Sequence, residues 1–194
     1  LIFIISLYFG IKSALNKNSF FDKFTGQLSL LSFSMPSFYL ALLLVLIFAI
    51  NFEILPIAGL HSIPADGSLT YYLDYAWHLI LPIFIIVFGG IGSLILYIRS
   101  LTIEILKSDY IFFAKARGLS KKQILRYYIL PNLYPPVITL LGLSLPGIIG
   151  GSVILETIFS IDGMGLLFYQ SALAHDYPVI MGILIIGAFL TLIG

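Results

Sequence analysis

Apolar residues in this chain come in long unbroken blocks, not in the short alternations of a strand or the one-sided stripes of a soluble helix. A helix that crosses the hydrocarbon core of a bilayer needs about 20 largely apolar residues, and the blocks match that length. Leu28 to Ile50 runs 23 residues without a charge, and Leu79 to Ile98 runs 20. Tyr127 to Leu155 is charge-free and longer still, so its span is expected over 133–155. Residues 1–11, "LIFIISLYFGI", read as the tail of another span, and 177–194 as the beginning of a last one. The pattern predicts an all-α, polytopic transmembrane helical bundle with three complete spans (28–50, 79–98, 133–155) and two partial ones. The chain opens and stops inside apolar runs and has no initiating Met, so we expect one transmembrane domain over 1–194, truncated at both ends.

Composition strengthens this reading. The chain is 60% hydrophobic and 10% charged, with a mean hydropathy of +1.08, whereas a soluble domain carries about 25% charged residues. With no Cys, neither a disulfide framework nor a thiolate metal site is available. The net charge of +1 is uninformative, but its distribution is not. All ten basic residues fall in two loops: Lys12, Lys17 and Lys23 in 12–27, and Arg99, Lys107, Lys115, Arg117, Lys121, Lys122 and Arg126 in 99–132. Loops 51–78 and 156–176 carry Glu53, Asp66, Asp74, Glu156, Asp162 and Asp176, together with all three His residues. Basic loops stay in the cytoplasm. The expected protein is therefore a multi-pass membrane protein, with 12–27 and 99–132 inside and 51–78 and 156–176 outside.

Pro36, Pro82, Pro135, Pro136 and Pro146 punctuate the spans, as do the small-residue clusters "FGGIG" (88–92) and "PGIIGG" (146–151). Such residues serve close helix packing or line a pathway. No Asp, Glu, His, Lys or Arg falls inside the three complete spans. Ion-coupled transporters generally hold one there, so an energy source outside the membrane is favoured over an ion-coupled transporter or channel.

The stretch "DYIFFAKARGLSKKQILRYYILPN" (109–132) holds five of the ten basic residues. Asp109 is placed to cap a helix that continues "YIFFAKAR". Gly118 breaks that helix as a glycine just past the end does. Ser120 with Gln123 three residues on is a capping box for a second helix, and Pro131 is expected to mark the next boundary. The first helix carries aromatic and small residues where a solvated loop would be polar. It fits either an interfacial helix lying on anionic headgroups, or a docking helix whose aromatics and Ala116 enter a groove on a soluble partner.

This segment resembles the cytoplasmic loop of the permease subunits of binding-protein-dependent ABC importers. Their loop motif reads Glu-Ala-Ala, three residues, Gly, nine residues, Ile, one residue, Leu-Pro. The matching positions are Phe112, Phe113, Ala114, Gly118, Tyr128, Leu130 and Pro131; the third Ala, the Gly and the Leu-Pro are kept. The wider likeness is to the dipeptide/oligopeptide (and nickel) branch. It covers "DYIFFAKARGL" (109–119), "SMPSF" (34–38), "LPIAG" (55–59) and "ETIFSIDGMGLLFYQSALAHDYPVIMG" (156–182). Asp162 departs from the branch's Pro, and Asn132 follows Leu-Pro where the branch has Arg-Asn.

The resemblance implies a type I ABC importer permease that forms the translocation pathway for peptides, nickel or related solutes. It implies a prokaryotic plasma membrane, and as partners a second homologous permease subunit, two cytoplasmic ATPase subunits, an extracytoplasmic solute-binding protein and membrane lipid. Asp109, Tyr110, Ala114, Lys115, Ala116, Arg117, Gly118 and Leu119 would form the ATPase-coupling helix and its corner. Ala114 and Gly118 would give steric fit, and Lys115 and Arg117 partner contacts. The chain would be no enzyme and need no cofactor, with ATP bound by the partner; it has no Gly-x-x-x-x-Gly-Lys phosphate loop. The competing reading is a membrane-embedded hydrolase using external His175, Asp176 and Ser171, or His61 and Asp66. No segment is long enough for a nucleic-acid-binding domain.

Overall fold

The computed structural model describes residues 1–64 and 67–194, leaving aside the side chains of 148 and 149. It is all helical, with no strand among the described residues. The helices are α1 (Ile2–Leu15), α2 (Phe20–Ser34), α3 (Ser37–Leu44), α4 (Leu69–His78), α5 (Ile80–Leu106), α6 (Asp109–Ala116), α7 (Lys121–Ile124), α8 (Leu130–Gly150), α9 (Val153–Ile158), α10 (Met164–Ala174) and α11 (Tyr177–Ile193). Ile80–Leu106 and Lys121–Gly147 are each 27 residues long and apolar enough to cross a membrane. A third crossing is available if α2 and α3 count as one interrupted span. The chain is a multi-pass membrane protein.

Several helix boundaries carry local physics that hydropathy does not contain. The apolar run 28–50 is interrupted at Met35 and Pro36 and ends in a π-helical stretch, Val45–Asn51. Within 12–27, only a short turn separates α1 from α2, so that basic segment is largely helical. The boundary expected at Pro131 is not a break. Lys121 to Gly150 is continuously helical, and Leu125–Ile129, just before the proline, widens into a π-helical turn. Pro131 thus lies inside a continuous helical run, and the wider turn just before it is where the helix accommodates the missing N–H.

The chain forms two compact units. The first comprises Leu1–Ser34 and Val87–Leu141. Here the 87–106 part of α5 packs on α1 and α2 through small residues. A methyl group added at Gly10 would lie 2.8 Å from Ile98 Cγ2, and one at Gly92 would run into Ser29 of α2. Ser32 Oγ donates to the Phe88 carbonyl. Close approach at Gly and Ser is how helices associate where lipid removes the hydrophobic drive. In "FGGIG", Gly90 and Gly92 therefore serve packing. The core of this unit is Leu94, Ile98, Ile111, Ala114, Ile124, Ile129, Leu133 and Val137.

The second unit comprises Met35–Ile86 and Gly142–Gly194. Its buried apolar residues include Leu40, Ala41, Val45, Leu81, Ile85, Leu155, Phe159 and Ile183. Glu156 organises the turn between α9 and α10: its carboxylate accepts from the Ser152 N–H at 3.0 Å and the Leu166 N–H at 2.6 Å. Gly151, Gly163 and Gly165 crowd around that carboxylate, leaving no room for a Cβ.

Candidate functional site

The segment from Ser108 to Ile129 is built as a helix, a glycine corner and a second helix. Ser108, not Asp109, occupies the N-cap position of α6, but its hydroxyl donates back to the Ile105 carbonyl at 2.6 Å and makes no capping bond; Asp109 is the first helical residue. Its carboxylate lies in the first turn, at the positive end of the helix dipole. At the other end, the Gly118 N–H donates to the Lys115 carbonyl at 2.9 Å and the Leu119 N–H to the Ala114 carbonyl at 3.2 Å. Gly118 has φ +80°. This pair of bonds around a left-handed residue is the Schellman closure, which glycine adopts without a Cβ penalty. The Ser120–Gln123 capping box is present in both directions: Gln123 N–H to Ser120 Oγ at 3.3 Å, and Ser120 N–H to Gln123 Oε1 at 2.8 Å.

The two faces of α6 differ sharply. Ile111 and Ala114 have no exposed surface and belong to the core of the first unit. Phe112 and Phe113 are 69% and 61% exposed, and Tyr110, Lys115, Ala116 and Arg117 are exposed beside them. Ala114 thus supplies its steric fit within its own chain. Gly118 is open, with no atom within 4 Å of where its Cβ would be. Arg117 donates to the Tyr128 hydroxyl at 3.1 Å, and the Tyr110 and Tyr128 rings stack at 6.3 Å, so α6 is tied laterally to the turn beyond the corner. Leu119 packs against the core. The result is a short helix anchored on one side, presenting two phenylalanines and two cations on the other.

A second feature of this unit escapes sequence reading. Arg99, at the end of an apolar run, forms a two-point pair with Asp22: Nε to Oδ1 at 2.6 Å and Nη2 to Oδ2 at 2.8 Å. Ser13 Oγ also donates to Asp22, as does the Asn18 N–H at 2.9 Å. The Asp22 carboxyl, outside the apolar run that begins at Leu28, is held well below the usual carboxylate range, chiefly by the Arg99 hydrogen bonds against the opposing effect of burial. The partners are 77 residues apart. The only local hint is one acidic residue in an otherwise basic segment.

The residues of the competing hydrolase reading have structural partners. His175 is the left-handed residue ending α10, with φ 57°. Asp176 caps α11 by accepting from the Val179 N–H at 3.3 Å, and Ser171 is buried. Asp66 lies outside the described residues. The structure instead brings Ser62 and Asp74 to His78: Nδ1 lies 2.8 Å from the Asp74 carbonyl, and Nε2 lies 3.2 Å from Ser62 Oγ. The Asp74 carboxylate also accepts from the Ser62 N–H at 2.5 Å. These contacts fasten the segment before α4 onto the helix.

Residues 6–194 match the family described as "Binding-protein-dependent transport system inner membrane component". The chain is 36% identical over 191 residues to the oligopeptide transport system permease protein AppB of Bacillus subtilis, covering 98% of this chain and 60% of that protein. It is 38% identical over 179 residues to the dipeptide transport system permease protein DppB of the same organism, covering 92% and 54%. With the oligopeptide transport system permease protein OppB of Haemophilus influenzae it shares 36% identity over 190 residues, covering 98% and 58%. The chain thus spans a little over half the length of these relatives.

Proposed function

Because the chain belongs to the family of binding-protein-dependent transport system inner membrane components, we propose that it acts as a membrane-spanning permease subunit of an ATP-driven peptide importer. In this reading it pairs with a second homologous permease subunit. Two cytoplasmic ATPase subunits bind the ATP, and a solute-binding protein delivers substrate outside. Loops 12–27 and 99–132 face the cytoplasm, by the concentration of all ten basic residues there. Peptides are the cargo that the names of the relatives favour.

The observation that carries the proposal is the division of α6 into an anchored and a presented face. Ile111 and Ala114 seat the helix in the core. Phe112 and Phe113, with Lys115 and Arg117 beside them, are left to a partner. Apolar anchors rimmed by cations are what a groove on a soluble subunit recognises. A helix seated this firmly transmits a push at its outer face to the α5 and α8 residues that seat it. On this account Asp109, Tyr110, Ala114, Lys115, Ala116, Arg117, Gly118 and Leu119 form the coupling element. Ala114 and Leu119 hold it, Gly118 turns the chain, and Lys115 and Arg117 meet the ATPase.

The test is peptide uptake and substrate-stimulated ATP hydrolysis in the full-length transporter carrying Gly118→Trp. The expected result is normal membrane insertion with loss of uptake: a Cβ at Gly118 meets no atom within 4 Å, and the strain of a side chain held at φ +80° falls on the corner itself. Uptake at the wild-type rate would refute the coupling role.

A further inference from the structure

On the first unit, Leu7, Ile11 and Leu15 of α1 line one wall of an open groove of about 260 Å³, and Leu125 and Leu130 line the other. Tyr8 and Lys12 supply its polar groups. The Lys12 ammonium donates to the Tyr8 hydroxyl at 3.0 Å and lies 4.6 Å from the centre of the Phe21 ring. The ion pairs among the described residues are His78–Asp74 and Asp22–Arg99, so no described carboxylate neutralises Lys12. An unneutralised cation on the wall of an otherwise apolar channel calls for a ligand with an apolar body and an anionic head.

From this charge complementarity we infer that the groove holds one anionic glycerophospholipid, an acyl chain along Leu7, Ile11, Leu125 and Leu130 and its phosphate on Lys12. Basic pockets between membrane helices at the cytoplasmic face recognise anionic headgroups in this manner, and a lysine stem alongside apolar surface carries its charge to headgroup level. The inner-leaflet assignment rests on the orientation proposed above; binding itself does not. Lys17 and Lys23 are exposed but do not line the groove, so they are the internal controls.

The test is native mass spectrometry of the purified full-length transporter titrated with dioleoylphosphatidylglycerol or dioleoylphosphatidylcholine. Phosphatidylglycerol is expected to bind more tightly. Lys12→Gln should weaken it about fivefold, the weight of one lysine near an anionic surface, and should weaken phosphatidylcholine, whose choline offsets the charge of its phosphate, by less. Lys12→Arg should retain the preference, Lys17→Gln and Lys23→Gln should not alter it, and Ile11→Trp, which fills the groove, should remove the bound lipid. Equal phosphatidylglycerol affinity in wild type and Lys12→Gln would overturn the inference. So would a photo-crosslinker at Ile11 that captures only protein, meaning that another polypeptide segment covers the groove. Neither outcome bears on the transport reading, because no step of the test reads uptake or ATP hydrolysis.

Discussion

Truncating Ile111 should loosen the seat of α6, whereas truncating Phe113 should not. Ile111 has no exposed surface and packs in the core formed by Leu94, Ile98, Ile124, Ile129 and Leu133. Buried Ile→Ala changes cost about 2–5 kcal/mol, offset by up to about 0.7 kcal/mol because Ala is the better helix former. With each 1.4 kcal/mol worth a factor of ten, opening of α6 should rise about tenfold or more. Phe113 is 61% exposed, so Phe113→Ala should stay within about 0.5 kcal/mol, a two- to threefold change at most. Amide hydrogen exchange over Phe112–Ala116, in the full-length protein held in nanodiscs without the proposed ATPase subunits, reads both. Substrate-stimulated ATP hydrolysis of the complete assembly should fall in both variants, through loss of the seat in one and of the partner contact in the other. Equal exchange in Ile111→Ala and wild type, or a large increase in Phe113→Ala, would refute the two-faced account of the helix.

Other substitutions probe the supporting structure. Gly118→Ala meets no neighbour but must hold φ +80°. It should cost about 1 kcal/mol and Gly118→Asn less, measured as loss of exchange protection at the Leu119 amide. Arg99→Ala leaves the nearly buried Asp22 carboxylate with only Ser13 and Asn18 as donors. It should destabilise by about 3 kcal/mol, at the low end for a broken buried pair because Arg99 is 26% exposed on its side chain. Adding Asp22→Asn should restore part of that loss in thermal unfolding in mild detergent. Ser120→Ala removes one arm of the capping box and should cost about 1 kcal/mol, read as faster exchange over Lys121–Ile124.

Features determined by local chemistry were legible along the chain. The Gly118 corner and the Ser120–Gln123 capping box depend on residues within three to five positions, and both are found as the spacing implies. The membrane-crossing character of Ile80–Leu106 follows from hydropathy alone. What depends on distant partners was not legible. Asp22 and Arg99 meet only because α2 packs on α5. Ala114, expected to give steric fit in the coupling helix, fits into the core of its own chain. On an eight-residue helix only Ile111 and Ala114 turn inward, and flanking aromatics on both sides leave little periodic signal of which face is buried. Pro131 suggested a helix end because proline lacks a donor. The π-helical turn at Leu125–Ile129 lets the helix continue instead, a backbone adjustment with no residue signature of its own.

The most direct measurement concerns what touches the outer face of α6. Ala114 is buried, so the probe belongs on Phe113. A photo-crosslinking amino acid placed there in the full-length transporter should, after irradiation of native membranes, capture a soluble protein with a nucleotide-binding phosphate loop. Adding ATP should change the yield. Capture of lipid alone would contradict the coupling role and mark α6 as an interfacial helix resting on the headgroups.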